Sequence, residues 1–186
     1  EALYAPGHNP VIDALALEAV RAIHASLPTV MATPSDVEAR SQLQYGAYLS
    51  GIALGATSAA FHHKICHVLG GTFNLVHADA HSVVLPHALA FNAPVLPAEM
   101  AMLEGALGGE PCGALWDLAV ASNVPTSLEA LGLREADLPE AAERATAEIA
   151  KIADGGNPRP CSADAMLALL QRAFLGVRPT VEAVLS

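Results

Sequence analysis

The stretch FHHKICHVLGGTFNLVHADAHSVVLPHALAFN, residues 61–92, carries six of the eight histidines in a chain of 186 residues. Within it, His63 and His67 lie four residues apart, and His77 and His81 repeat that spacing. Residues four apart share one face of a helix. The pattern therefore predicts two helices, joined by a turn at Gly70-Gly71, whose histidines can point toward one site.

This cluster of imidazoles indicates chemistry rather than packing. Imidazole is the commonest metal ligand in proteins, and it also exchanges its proton near neutral pH. The residues alone therefore allow a metal site, an acid–base relay or both. The HExxH pattern of zinc proteases is excluded, because Lys64 follows His63 where that pattern needs Glu. A closed structural zinc site is disfavoured, because no pair of cysteines supplies its remaining ligands.

Composition predicts a folded domain with a large core, because 53% of the residues are hydrophobic and only 15% are charged. Nine basic and nineteen acidic residues give a formal net charge of −10, which excludes a nucleic acid as a plausible partner. The three cysteines form no CxxC pair, so neither a disulfide framework nor a zinc ribbon fits. We expect a reducing, cytoplasmic location.

One segment needs to be distinguished from a membrane span. No formal charge lies between Arg40 and Lys64, and Gly51 and Gly55 form a GxxxG pair. The polar residues at both ends leave an apolar centre of about fifteen residues, whereas a bilayer needs about twenty. We therefore expect a helix inside a soluble bundle, and no membrane partner.

The rest of the chain is also helical by its apolar periodicity, and no segment alternates with a period of two. The sequence thus predicts one all-α domain over residues 1–186, a bundle of about seven or eight helices. The predicted helices cover residues 10–27, 35–54, 59–69, 78–91, 98–107, 112–122, 139–153 and 163–175.

Local signals set the ends of the first four helices. Asn9 is the expected N-cap of the first helix, and Pro28 is expected to stop it. Ser35 and Glu38 form a capping box for the second helix. Gly70-Gly71 is the expected stop of the third, with a loop over residues 72–76, and Pro86 should interrupt the fourth.

The histidine-rich stretch also contains a longer motif: a His, three residues and a second His before Leu-Gly, then a His ten residues later, then Leu-Pro-His followed by an Asn. The residues that match are His63, His67, His77, Leu85-Pro86-His87 and Asn92. With this motif the sequence resembles the iron-containing alcohol dehydrogenase family. The doubled His62-His63 and the extra His81 make it more similar to the maleylacetate reductase branch.

The resemblance extends loosely over essentially the whole chain and implies the helical C-terminal domain of a two-domain reductase. It implies a metal, Fe(II) or Zn(II), held by His63, His77 and by an Asp and a His on one further helix. Glu1-Ala2-Leu3 resembles the residues just after that Asp-x-x-x-His motif. We therefore expect those two ligands, and an N-terminal domain that binds NADH or NADPH, to lie upstream.

The leading hypothesis from this resemblance is reduction of maleylacetate to 3-oxoadipate in the breakdown of aromatic compounds. His67 is the expected proton donor. The candidates for attracting the dicarboxylate keto-acid substrate are His62, Lys64 and His81, or groups from the domain expected upstream. We also expect a homodimer. Two alternatives remain open: an iron- or zinc-dependent alcohol dehydrogenase of the same family, and a non-catalytic helical module for metal binding or protein interaction.

Overall fold

The computed structural model describes residues 1–152 and 157–181, and within these two ranges it contains eight α-helices and no β-strand. The prediction of an all-α bundle is confirmed. The helices are α1 (Pro10–Ala32), α2 (Val37–Ala56), α3 (Phe61–Phe73), α4 (His77–Asn92), α5 (Pro97–Leu107), α6 (Pro111–Ala121), α7 (Leu138–Ile149) and α8 (Ala163–Leu175). None of these helices is long and apolar enough to cross a membrane.

Helices α1 and α2 form a long hairpin, joined by a short connection at residues 33–36. The Asn9 side chain caps α1 as predicted, by accepting hydrogen bonds from the N–H groups of Val11 and Ile12. The predicted stop at Pro28 is wrong, and α1 continues to Ala32. Pro28 removes one N–H from the helix and crowds the preceding turn, yet the helix continues, and its last turn closes through a 2.8 Å hydrogen bond from Thr33 N to Thr29 O.

The predicted cap of α2 moves by one residue and the predicted end of α3 by four. The cap of α2 is Asp36 rather than Ser35, because the Asp36 carboxylate accepts a 2.9 Å hydrogen bond from Ala39 N. Helix α3 does not stop at Gly70-Gly71 but continues to Phe73. Its end is Asn74, whose φ of 56° is left-handed, a conformation that Asn tolerates better than most residues.

Helix α4 lies at the centre of the bundle and packs against α3, α6 and α8. Pro86 does not interrupt it, contrary to the prediction, and is itself buried within the helix. The main core lies between α3, α4, α7 and α8. Its largest fully buried side chains include Phe61, Ile65, Leu69, Val84, Met166 and Leu170.

The later helices were predicted closely, with starts and ends within one residue for α5, α6 and α8. The prediction for α7 ran to Ala153, which lies outside the described residues, and the helix ends at Ile149. Asn157, the first described residue after Ile152, is hydrogen-bonded to α4. Asn92 and Asn157 exchange two amide hydrogen bonds of 2.8 and 2.5 Å, and Asn92 is 1% exposed.

Candidate functional site

Helices α3 and α4 bring five of the six clustered histidines together, as their spacing predicts. His81 lies between the others: its ring centroid is 4.6 Å from that of His62, 4.9 Å from His63 and 4.2 Å from His77. His67 completes the group, with its ring stacked on His77 at 5.9 Å. We call these five residues the imidazole cluster.

The imidazole cluster is buried at one end and open at the other. His62 is 7% exposed, and its Nε2 donates a 3.0 Å hydrogen bond to the carbonyl oxygen of His81. His63 and His81 are half-buried, whereas His67 and His77 are exposed. A substrate or a second domain could therefore reach the cluster from the side of His67 and His77.

Burial and mutual repulsion disfavour positive charge on several of these rings. Burial lowers the pKa of His62 to about 4. Burial and then the charges of His62, His63 and His77 lower the pKa of His81 to about 3. The pKa of His67 is also lowered, first by burial and then by the charges of His63 and His77. His62 and His81 are consequently neutral at pH 7 and offer hydrogen bonds rather than charge.

Glu1 reaches the imidazole cluster from the other end of the sequence. Its carboxylate accepts a 2.5 Å hydrogen bond from His62 N and contacts His63 Nδ1. Burial raises the pKa of Glu1, but the hydrogen bond with His63, the amino group of Glu1 itself and the charges of His62 and His63 lower it further, to about 2. Sequence reasoning missed this contact, because a separation of more than sixty residues leaves no local signal.

His87, the sixth histidine of the stretch, does not join the imidazole cluster. It is 3% exposed and lines a cavity of about 470 Å³ together with Phe91, Arg159 and Arg172. A separate, smaller cavity of about 240 Å³ opens on the cluster and is lined by Glu1, His62, His63 and apolar residues of α1 and α2. The smaller cavity is the one that adjoins the candidate chemistry.

A comparison with known families decides what this arrangement belongs to. Residues 1–174 match the family model described as "Fe-containing alcohol dehydrogenase family, C-terminal". The chain belongs to this family. Membership confirms the resemblance inferred from the histidine motif and the helical C-terminal fold that it implied.

Individual members of the family are similar over nearly all of the chain. Maleylacetate reductase of Pseudomonas sp. (strain P51) is 49% identical over 180 residues, which are 96% of this chain and 50% of that relative. The crystal structure of maleylacetate reductase from Agrobacterium tumefaciens has a TM-score of 0.90 at 43% identity, and covers 96% of this chain and 50% of its own.

An iron-containing alcohol dehydrogenase from Corynebacterium glutamicum is also similar, with a TM-score of 0.89 at 36% identity. That match covers all of this chain and 50% of the other. The chain thus spans about half the length of the relatives it matches.

The family name raises the question of whether these residues suit iron. Imidazole nitrogens are good ligands for Fe(II) and Zn(II). His63 turns its Nδ1 toward Glu1, so its Nε2 is the atom left for a metal. The Nε2 of His81 is buried and has no hydrogen-bond partner among the described residues. By donor chemistry, the imidazole cluster fits a divalent metal.

The geometry groups the possible ligands in a particular way. Ligand atoms lie within 4.8 Å of one another in two sets of three, His62–Cys66–His81 and Glu1–His62–His63. The second set joins His63 to Glu1, the partner of its Nδ1, and neither set includes His77, which contacts the cluster through His81 and His67. The assignment of His63 and His77 as ligands stays a prediction.

Proposed function

We propose that this chain is the metal-side and substrate-side half of an NAD(P)H-dependent maleylacetate reductase. The observation that carries the proposal is the imidazole cluster, which is buried at His62 and open at His67 and His77. Relatives named maleylacetate reductase at 41–49% identity support it. The nucleotide would be bound mainly by an N-terminal domain that precedes Glu1.

The proposed reaction reduces the carbon–carbon double bond conjugated to the ketone of maleylacetate. Hydride from the nicotinamide adds to the carbon of the double bond that is farther from the ketone. The π electrons of the double bond then shift toward the ketone, and an enolate forms with negative charge on the ketone oxygen. Preorganised N–H donors stabilise such an oxygen most strongly when charge develops on it. His67, at the open side of the cluster, then gives a proton to the carbon beside the carbonyl, which completes 3-oxoadipate.

His63 and His77, with ligands expected upstream, would hold the Fe(II) or Zn(II) ion, which when bound supplies Lewis-acid stabilisation of the developing charge. The chain's own residues also have to attract a dianion to a domain of net charge −10. Lys64, partly exposed next to His63, offers a local positive charge. The neutral ring of His81 offers one N–H to a carboxylate or ketone oxygen, whereas the N–H of His62 is already used on the carbonyl oxygen of His81 and helps to hold the cluster in place.

The test is a comparison of substrates with the full-length enzyme. Oxidation of NADH or NADPH with maleylacetate should exceed, in kcat/KM, the reduction of NAD⁺ with simple alcohols by at least about a hundredfold, because the cluster is complementary to an enolate. The opposite preference would favour the alcohol dehydrogenase alternative. Absence of turnover with either class would favour the non-catalytic module.

A control separates the two halves. The 186-residue chain alone should not oxidise NADH with any substrate, because the nucleotide site lies in the other domain. Turnover by the isolated chain would contradict the two-domain assignment.

The cytoplasmic location and the homodimer remain predictions, the former supported by three free cysteines.

A further inference from the structure

Helix α3, which carries three of the five clustered histidines, has no cap of its own. Its N-cap residue is Ala60, whose side chain cannot accept a hydrogen bond, and its first turn contains no acidic residue. The first N–H groups of a helix have no partner within the helix, and they favour a negative charge. Their partners must therefore be water or another part of the molecule.

Glu1 fills this role from outside the helix. Its Oε1 accepts hydrogen bonds from His62 N at 2.5 Å and from His63 N at 3.4 Å. Its carboxylate is only 11% exposed, so these bonds are shielded from water. A carboxylate also caps α6, from within the same segment: the two oxygens of Glu110 accept bonds of 2.9 and 2.7 Å from Cys112 N and Gly113 N, one each.

Glu1 differs from Glu110 in what its second oxygen does. Oε2 of Glu1 contacts His63 Nδ1, so a single carboxylate holds both the start of α3 and the His63 ring. Because an ionised carboxylate can only accept, Nδ1 must carry the proton. In the neutral ring Nε2 is then the atom with a free lone pair.

We propose that Glu1 is a positioning residue of the imidazole cluster, which caps α3 and fixes the tautomer and orientation of His63. The cap and the orientation depend on one side chain. Displacement of Glu1 would therefore loosen the first turn of α3 and release the His63 ring together. The consequence for metal binding rests on the proposed function, whereas the cap and the tautomer do not.

The experiment compares Glu1→Ala with Glu110→Ala in the full-length enzyme. Both variants remove a carboxylate that caps a helix through two N–H groups, but only Glu1 contacts a histidine. Glu1→Ala should accelerate amide hydrogen exchange at His62 and His63 about tenfold, the effect of losing one good cap. It should also weaken Zn²⁺ binding, measured by equilibrium dialysis, by about 10- to 100-fold. Glu110→Ala should leave both quantities within about twofold of the unmodified enzyme.

A third variant separates the two roles of Glu1. Glu1→Gln keeps an oxygen that can cap α3, so exchange at His62 and His63 should stay within about threefold of the unmodified enzyme. Its amide no longer demands a proton on Nδ1. The ¹⁵N chemical shifts of His63 should therefore move from the Nδ1–H pattern toward a mixture of tautomers.

Several results would overturn the inference. Unchanged amide exchange in Glu1→Ala would show that Glu1 does not cap α3. A His63 ring without a proton on Nδ1 in the unmodified enzyme would show that Glu1 does not fix the tautomer of His63. Equal loss of Zn²⁺ affinity in Glu1→Ala and Glu110→Ala would reduce Glu1 to a general stabiliser. If the unmodified enzyme binds no Zn²⁺, the metal part of the proposed function fails. The exchange and ¹⁵N results would still decide the role of Glu1.

Discussion

Protonation of His87 should destabilise the fold as the pH falls below neutrality. The ring is 3% exposed, and its Nε2 has no hydrogen-bond partner within the described residues. Burial, followed by the charge of Arg172 on α8, lowers the pKa of His87 to about 4 from an ordinary 6.5. Arg159, which lines the same cavity, adds a second positive group on that side. The perturbation we consider is His87→Leu, which removes the titrating ring and keeps an apolar side chain.

The sign follows from where each state takes up the proton. The unfolded chain protonates His87 near pH 6.5, whereas the folded chain does so only near pH 4. The free energy of unfolding therefore falls between pH 6.5 and pH 4, and this group has no effect above that window. At about 1.4 kcal/mol per pH unit, the full loss is about 3 kcal/mol, and about 2 kcal/mol of it has occurred at pH 5.

The assay is urea unfolding at pH 7.5, 6 and 5 for the unmodified protein and for His87→Leu. Other groups titrate in this range as well, so the quantity of interest is the difference between the two profiles. Between pH 7.5 and pH 5, the free energy of unfolding of the unmodified protein should fall by about 2 kcal/mol more than that of His87→Leu. The control is His8→Gln, which removes an exposed histidine. If the free energies of unfolding of His87→Leu and of the unmodified protein change in parallel with pH, the His87 ring is not held buried and neutral in the folded protein.

Two further predictions concern packing. A Cβ at Gly46 would lie 2.7 Å from Ile23 Cγ1 and 3.1 Å from backbone atoms of α1, so Gly46→Ala should destabilise the hairpin by about 1–3 kcal/mol. Gly51→Ala, on the same helix with nothing within 4 Å, should stabilise it by about 0.5–1 kcal/mol, and equal effects of the two in thermal unfolding would contradict the close approach. Asn92→Leu removes both amide hydrogen bonds with Asn157, whose Oδ1 then has no acceptor role left with Asn92 while its Nδ2 keeps the bond to Arg159 O, and should cost about 1–3 kcal/mol in urea unfolding. An unchanged free energy of unfolding would show that the amide pair does not contribute to stability.

The sequence predicted the imidazole cluster because its information is local. His63 and His67, and His77 and His81, lie four residues apart, so each pair shares a helix face wherever the helix happens to pack. The same rule could have excluded His87. Six residues after His81, it is rotated by about 240° around α4 and points elsewhere.

The errors at helix ends arise because a proline or glycine can either end a helix or be accommodated within it, and the local sequence does not decide between the two. Pro28 and Pro86 each remove a hydrogen bond from a helix, yet both helices continue through them. Gly70-Gly71 can end a helix or continue it, and Asn74 ends α3 instead. Glu1 could not be found at all, because only the folded chain brings it to His63.

The most direct test of the account is the turnover number of His67→Ala in the full-length enzyme with maleylacetate and NADH, measured beside its thermal stability. If the imidazole cluster does chemistry, loss of the proton donor should lower kcat by about 10²- to 10⁴-fold, and it should barely change the melting temperature, because the ring is exposed. A kcat within about threefold of the unmodified enzyme, with a lowered melting temperature, would mean that the cluster contributes only to packing.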